Sequence, residues 1–139
     1  MEKKSEFYTL KGYKMRQNVL ITEAMEDYLE MIFRMSNNQR KIRIKDLAHE
    51  LNVNPSSASK MVSRLKEQDL VISKKYSEVN LTANGQHLGE YFLWRHNILV
   101  KFFKYLNKEN YILEQVEKIE HFIDNTTLNN MEEWLKNID

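Results

Sequence analysis

The chain has 139 residues and a formal net charge of +1, room for one compact domain or two small lobes sharing a core. Three glycines and one proline are too few turn residues for an all-β sandwich or barrel, and the composition excludes collagen-like and low-complexity chains. The absence of cysteine excludes disulfides, zinc fingers, iron–sulfur clusters and thiol chemistry, so a metal site would have to use His, Asp, Glu or backbone oxygens. No apolar run approaches the roughly 20 residues of a membrane span and no signal-peptide pattern opens the chain, so the expectation is a cytoplasmic protein.

The small net charge hides an asymmetry. Residues 40–76 hold nine basic and four acidic side chains, and residues 107–139 hold eight acidic and three basic ones. A basic segment suits an anionic partner, and an acidic one can hold a cation.

Residues 1–19 form a polar, basic N-terminal extension. Residues 22–35 predict an amphipathic helix with Thr22 as N-cap and Ala24, Tyr28, Met31, Ile32 and Met35 inward, broken by Ser36–Asn38. Residues 44–51 predict a short helix with Leu47, Ala48 and Leu51 inward. A turn at Asn52–Pro55 follows, with Asn54 as cap and Pro55 at the first position of a helix running to about Gln68. Ala58, Met61, Val62 and Leu65 face inward on it, and Ser57, Lys60 and Arg64 outward. Two helices across so short a turn form a helix-turn-helix. Residues 70–82 switch to a β-hairpin with a polar tip at Lys74–Glu78, which completes a winged-helix arrangement. Thr82 caps a long helix over 83–106, with a break expected near Asn97. Helices over 109–123 and 126–138 follow, the first with Ile112, Val116, Ile119 and Ile123 as its stripe, the second with Leu128, Met131, Trp134, Leu135 and Ile138.

A recognition helix carries its N-terminal side chains to base edges in the major groove. Ser56, Ser57, Ser59 and Lys60 suit that position, and Arg64 lies one turn further along. Lys74, Lys75 and Tyr76 on the wing can reach the backbone or minor groove. Any one of these is an ordinary solvated residue. Their combination points to double-stranded DNA.

Asp27 and Glu30 share a face of the first helix, apart from its apolar stripe, and Glu117, Glu120 and His121 share a face of a later one. A divalent cation between the two faces would relieve the repulsion among the acids, with His96 completing the site. Oxygen donors with some imidazole suit manganese or ferrous iron rather than structural zinc. The bland alternative is that these are solvated acids. His49, and the His87–Glu90 pair, are expected to stay at the surface.

The segments LITEAMEDYLEM (20–31), NPSSASKMVSRLKEQDLV (54–71), LTANGQHLG (81–89), WRHNILVKF (94–102) and VEKIEHFI (116–123) resemble the diphtheria-toxin-repressor family, and within it the manganese transport regulators. The resemblance covers roughly residues 20–138. It implies a mainly α fold, with a winged-helix DNA-binding domain over 20–90 and an all-helical dimerisation and metal-binding domain over 91–139. It implies a homodimer, without enzymatic activity, that binds operator DNA and represses metal-uptake genes when metal is bound. It also implies that Asp27, Glu30, His96, Glu117, Glu120 and His121 hold a pair of divalent ions where the lobes meet.

The iron-responsive branch has methionine where Asp27 stands and cysteine where Glu117 stands, so the hard oxygens here favour manganese over ferrous iron or other divalent transition metals. Val100 replaces a carboxylate of that branch. The wing tip Lys75-Tyr76-Ser77-Glu78 departs from the frequent Lys-Tyr-Arg-Gly by losing a cation and gaining an acid. Two rivals remain open: a winged-helix regulator sensing an organic ligand, and a di-metal carboxylate enzyme on a helical bundle. The bundle wants two E-x-x-H motifs, which Glu117, Glu120 and His121 do not supply.

Overall fold

The computed structural model describes residues 21–38, 41–74, 78–108 and 113–138. The extension 1–19, Lys75, Tyr76, Ser77 and Ile112 lie outside the described residues.

Helix α1 (Glu23–Asn38) starts where Thr22 accepts the Met25 backbone N–H, at 3.2 Å. It runs three residues past the expected stop at Met35. Ser36 and Asn38 do not break it, because their side chains donate to the carbonyls of Phe33 and Arg34 in its last turn. Its buried arc is also wider than one stripe. Met25, Leu29 and Phe33 join Tyr28, Ile32 and Met35 inside, whereas Ala24 is exposed and Met31 half-buried. α1 packs on two sides, so two faces are covered.

Helix α2 (Ile44–Leu51) ends at Asn52, whose left-handed backbone (φ 56°) closes the turn with its N–H on His49 O. Helix α3 (Pro55–Glu67) begins as expected, with the Asn54 side chain accepting from Ser57 N at 2.9 Å. Ala58, Val62 and Leu65 are buried and Met61 half-buried, on the side the periodicity assigned inward. Strands β1 (Val71–Lys74) and β2 (Glu78–Leu81) pair antiparallel, Val71 opposite Leu81 and Lys74 opposite Glu78. An isolated bridge from Arg43 to Glu78 ties the hairpin to the segment before α2.

Helix α4 (Ala83–Asn107) is capped by Thr82 and continuous over 25 residues, roughly 37 Å. The expected break at Asn97 is absent. Nothing there interrupts the backbone ladder, and Arg95, His96, Ile98 and Leu99 are buried on both sides of that position. α4 joins two cores. Phe92 belongs to the larger, with α1, α2, α3 and the hairpin. Ile98 and Leu99 belong to the smaller, with Val116 of α5 (Leu113–Ile119) and Leu128 of α6 (Asn125–Asn137). The boundary expected at 90/91 lies inside this helix. α5 ends at Ile119, short of the expected 123, because residues 120–122 tighten into a 3₁₀ turn.

The α1–α4 crossing is close: a Cβ on Gly89 would lie 2.7 Å from Phe33 Cβ. At Gly85 the limit is backbone, since a Cβ would lie 1.9 Å from Leu70 O. Glycine to alanine in a helix ordinarily gains up to about 1 kcal/mol. Gly85→Ala is instead expected to lose about 1–3 kcal/mol, because the α3–β1 connection must move. Urea unfolding of the two proteins measures this, and an unchanged or higher midpoint would contradict the packing.

Candidate metal centre and nucleic-acid interface

Three segments meet beside α1. α1 supplies Glu26, Asp27 and Glu30; α4 supplies Arg95 and His96; the 3₁₀ turn supplies Glu120 and His121. Glu30 is buried, not on a face apart from the apolar residues as its spacing suggested. The 3₁₀ turn has the second local consequence. With fewer residues per turn, Glu120 is aimed at His96 and His121 at α1, while donor atoms of both stay close enough to form one group with Asp27.

Glu120 points inward, 2% exposed, and its Oε2 lies 2.8 Å from Nδ1 of the buried His96. His121 turns to α1, with Nδ1 2.9 Å from Glu26 Oε1 and Nε2 3.2 Å from Asp27 Oδ1. Glu30, His96 and Glu120 each place a donor atom within 4.8 Å of the others, and so do Asp27, Glu120 and His121. Glu120 is common to both groups. Glu117 is exposed and stands in neither. It lines, with Asp27, Glu30, Met31, Arg34, Leu51 and Glu120, a cleft of about 260 Å³ that opens onto them. Five of the six residues read as ligands thus form two overlapping groups, and the sixth faces the same cleft.

Two arginines are internal counter-charges. Arg95, buried, donates to Glu26 Oε1 at 2.8 Å and stacks on Phe92, its guanidinium carbon 4.8 Å from the ring centroid. Arg34, one turn beyond Glu30, pairs with it. The signal for Glu26 was its place beside Asp27 in the quoted segment; for Arg34 it was the i,i+4 spacing.

Burial first, and the charge of Glu120 second, push the Glu30 carboxyl above the ordinary carboxylate range, against the pull of Arg34 and His96. Burial pulls the His121 ring down, but the hydrogen bonds it donates to Asp27 and Glu26 and their charges more than reverse it, and the ring is pushed up to about 9. Buried carboxylates that repel, interleaved with imidazoles and free of sulfur, suit a hard or borderline divalent cation. The donor set therefore fits a divalent cation. His49, His87 and Glu90 are exposed and join no donor group among the described residues.

The other candidate surface is α3. Ser56, Ser57, Ser59, Lys60 and Arg64 are all exposed along it. Two groups at its start are already engaged: Asn54 Oδ1 accepts from the Ser56 hydroxyl at 2.7 Å and from Ser57 N. Lys60 and Arg64 carry the free positive charge of this face. Lys74 ends β1, beside the wing-tip residues that lie outside the description.

A sequence profile described as "Iron dependent repressor, N-terminal DNA binding domain" matches residues 20–79. An "HTH-type transcriptional regulator MntR" of Shouchella clausii (strain KSM-K16) is 38% identical over 103 residues, 73% of this chain and 72% of the relative. Among solved structures, the manganese regulator SloR superposes with a TM-score of 0.70 at 29% identity, over 81% of this chain and 53% of its own. A manganese-dependent transcriptional repressor in complex with manganese gives 0.68 at 26%, over 81% and 52%. The chain therefore spans about half the length of these solved relatives. Among the described residues no helix is long and apolar enough to cross a membrane.

The raised His121 value fixes a pH dependence. The folded ring holds its proton up to about pH 9, against 6.5 for the ordinary group. Its contribution to the stability of the metal-free protein is full below about pH 6.5 and is lost as pH rises through about 9. Glu30, raised for its own reasons, acts in the same direction at lower pH. Melting temperatures in chelator are expected to fall between pH 6.5 and 9 in the parent and to fall less in His121→Gln. Equal slopes would contradict the Asp27–His121–Glu26 contacts.

Proposed function

Because the chain belongs to the diphtheria-toxin-repressor family of metal-dependent transcriptional regulators, we propose that it is a manganese-responsive repressor of metal-uptake genes, binding operator DNA through α3 and the wing. The observation that carries the reading is the position of Glu120. A single buried carboxylate belongs to two donor groups whose other members come from α1, from α4 and, as His121, from its own turn. Manganese is favoured because Asp27 and Glu117 offer hard oxygens where sulfur would favour later transition metals.

Asp27, Glu30, His96, Glu120 and His121 would hold the metal, with Glu117 closing the cleft from α5. A bound divalent ion supplies positive charge among carboxylates that otherwise repel. The residues do the rest. Glu30 and Asp27 fix the face of α1, which packs on the helix-turn-helix. Glu120 and His121 fix the turn after α5. His96 holds Glu120 from α4. Drawing these together narrows the range of positions open to α3 relative to the helical half. Metal and DNA then favour the same arrangement, and each tightens the other.

The helical half supports a homodimer. Tyr105, Leu106, Leu113, Phe122 and Trp134 are large apolar side chains left exposed there. Trp134 packs against Phe102 and, edge to face, against Tyr105 at centroid distances of 5.4 and 5.0 Å, so these three rings form one apolar patch. Such a dimer presents two α3 helices to two half-sites. The separation of a DNA-binding domain over 20–90 from a dimerisation and metal-binding domain over 91–139 belongs to this proposal, with α4 shared between them.

Operator affinity is expected to rise at least about tenfold from chelator to manganese, a coupling of about 1.4 kcal/mol. Glu120→Gln should lose that response while keeping the helical circular dichroism. Arg64→Ala should weaken binding in both conditions and lower the salt slope by roughly one if it contacts phosphate. Fluorescence anisotropy with labelled operator reads all three. Equal parent affinity in chelator and manganese would overturn the metal-sensing reading and favour the organic-ligand regulator.

A further inference from the structure

Among the described residues that line the cleft, Arg34 is the cation that the ligand argument leaves without a role. It lines the cleft together with Asp27, Glu30, Glu117 and Glu120. Its guanidinium pairs through Nη2 with Glu30 Oε2, an oxygen of a carboxylate in the Glu30–His96–Glu120 donor group. The grip is partial. Arg34 Nε is buried without a hydrogen-bond partner among the described residues, while the side chain as a whole is 36% exposed. A guanidinium has five donors, and leaving one dry is costly when water lies close by. Swinging outward would rehydrate Nε and leave Glu30 free. Arg95 shares the unpartnered Nε but differs in exposure: its side chain is 4% exposed, bonded to Glu26 and stacked on Phe92, so it has no comparable exit.

We propose that Arg34 is a releasable counter-cation that occupies Glu30 in the metal-free protein and sets how much divalent metal is needed to displace it. The inference rests on the metal-sensing reading above. Without metal, Arg34 offsets part of the repulsion between Glu30 and Glu120 and keeps the two acids together. When a divalent ion is bound, the same guanidinium is a like charge beside it. Arg34 therefore stabilises the empty site and weakens the filled one. Both effects raise the metal concentration at which the site fills. It is a positioning residue, acting through Glu30.

The test uses the full chain and manganese alone as the probe. Arg34→Met keeps length and helix propensity and removes the charge; Arg34→Gln is the second variant, and Arg34→Lys restores a cation. Calorimetric titration should show manganese binding tighter by about tenfold in Arg34→Met and Arg34→Gln, the effect of removing a unit charge near a divalent ion in a partly solvated cleft. Arg34→Lys should return most of the way to the parent. In chelator Arg34→Met should melt below the parent, and saturating manganese should close the gap. A merely structural role would lower both melting points alike and leave affinity unmoved. Unchanged or weaker manganese binding in the charge-removing variants, with a parent that does bind, overturns the proposal alone. A parent that binds no manganese overturns it together with the metal-sensing reading.

Discussion

A carboxylic acid 2% exposed is the constraint from which the rest follows. Burying Glu120 without partners would cost several kcal/mol, and the fold supplies one in His96 at 2.8 Å. His96 can reach it because α4 is unbroken through Asn97 and the chain after α5 tightens at 120–122. The acids of α1 are neutralised separately, Glu26 by Arg95 and His121, and Glu30 by Arg34. The polar cluster thus joins α1, α4 and the 120–122 turn, three segments far apart in sequence.

This location matters because the two hydrophobic cores do not fuse. The larger holds α1, α2, α3 and the hairpin, and the smaller holds the C-terminal half of α4 with α5 and α6. Apart from α4 itself, the acid–imidazole cluster is a principal bridge between them. A charge change there alters how one core sits on the other, whereas a change inside either core alters stability alone. In the function proposed, a small cation held by the two donor groups at that bridge would act on the position of α3.

Much of this was legible in the sequence where local chemistry decides. Thr22, Asn54 with Pro55, and Thr82 are capping signals whose hydrogen bonds are made within three residues, and the structure makes each of them. The inward face of α3 followed from periodicity because only one side of that helix is covered. Periodicity failed on α1, which is covered on two sides: Met25, Leu29 and Phe33 are buried and Glu30 lies among them. At 120–122 a 3₁₀ turn replaces the α-helical wheel, aiming Glu120 at His96 and His121 at α1 yet keeping both in one donor group with Asp27. The ligand candidates were nonetheless identified, because the i,i+3 pair on α1 and the Glu/His run after residue 116 carry that chemistry in their composition. The counter-charge Arg95 was not, because its partner Glu26 is distant in sequence and meets it only once the chain is folded, whereas Arg34 carried an i,i+4 signal to Glu30.

The central claim is that α1 and the turn after α5 are pulled together through one shared set of side chains. Hydrogen exchange of the backbone amides, compared in manganese and in chelator, tests it most directly. Manganese is predicted to slow exchange jointly in α1 from Met25 onward and at residues 120–122, with Glu120→Gln abolishing both effects. Protection of one segment without the other, or none in either, would contradict it.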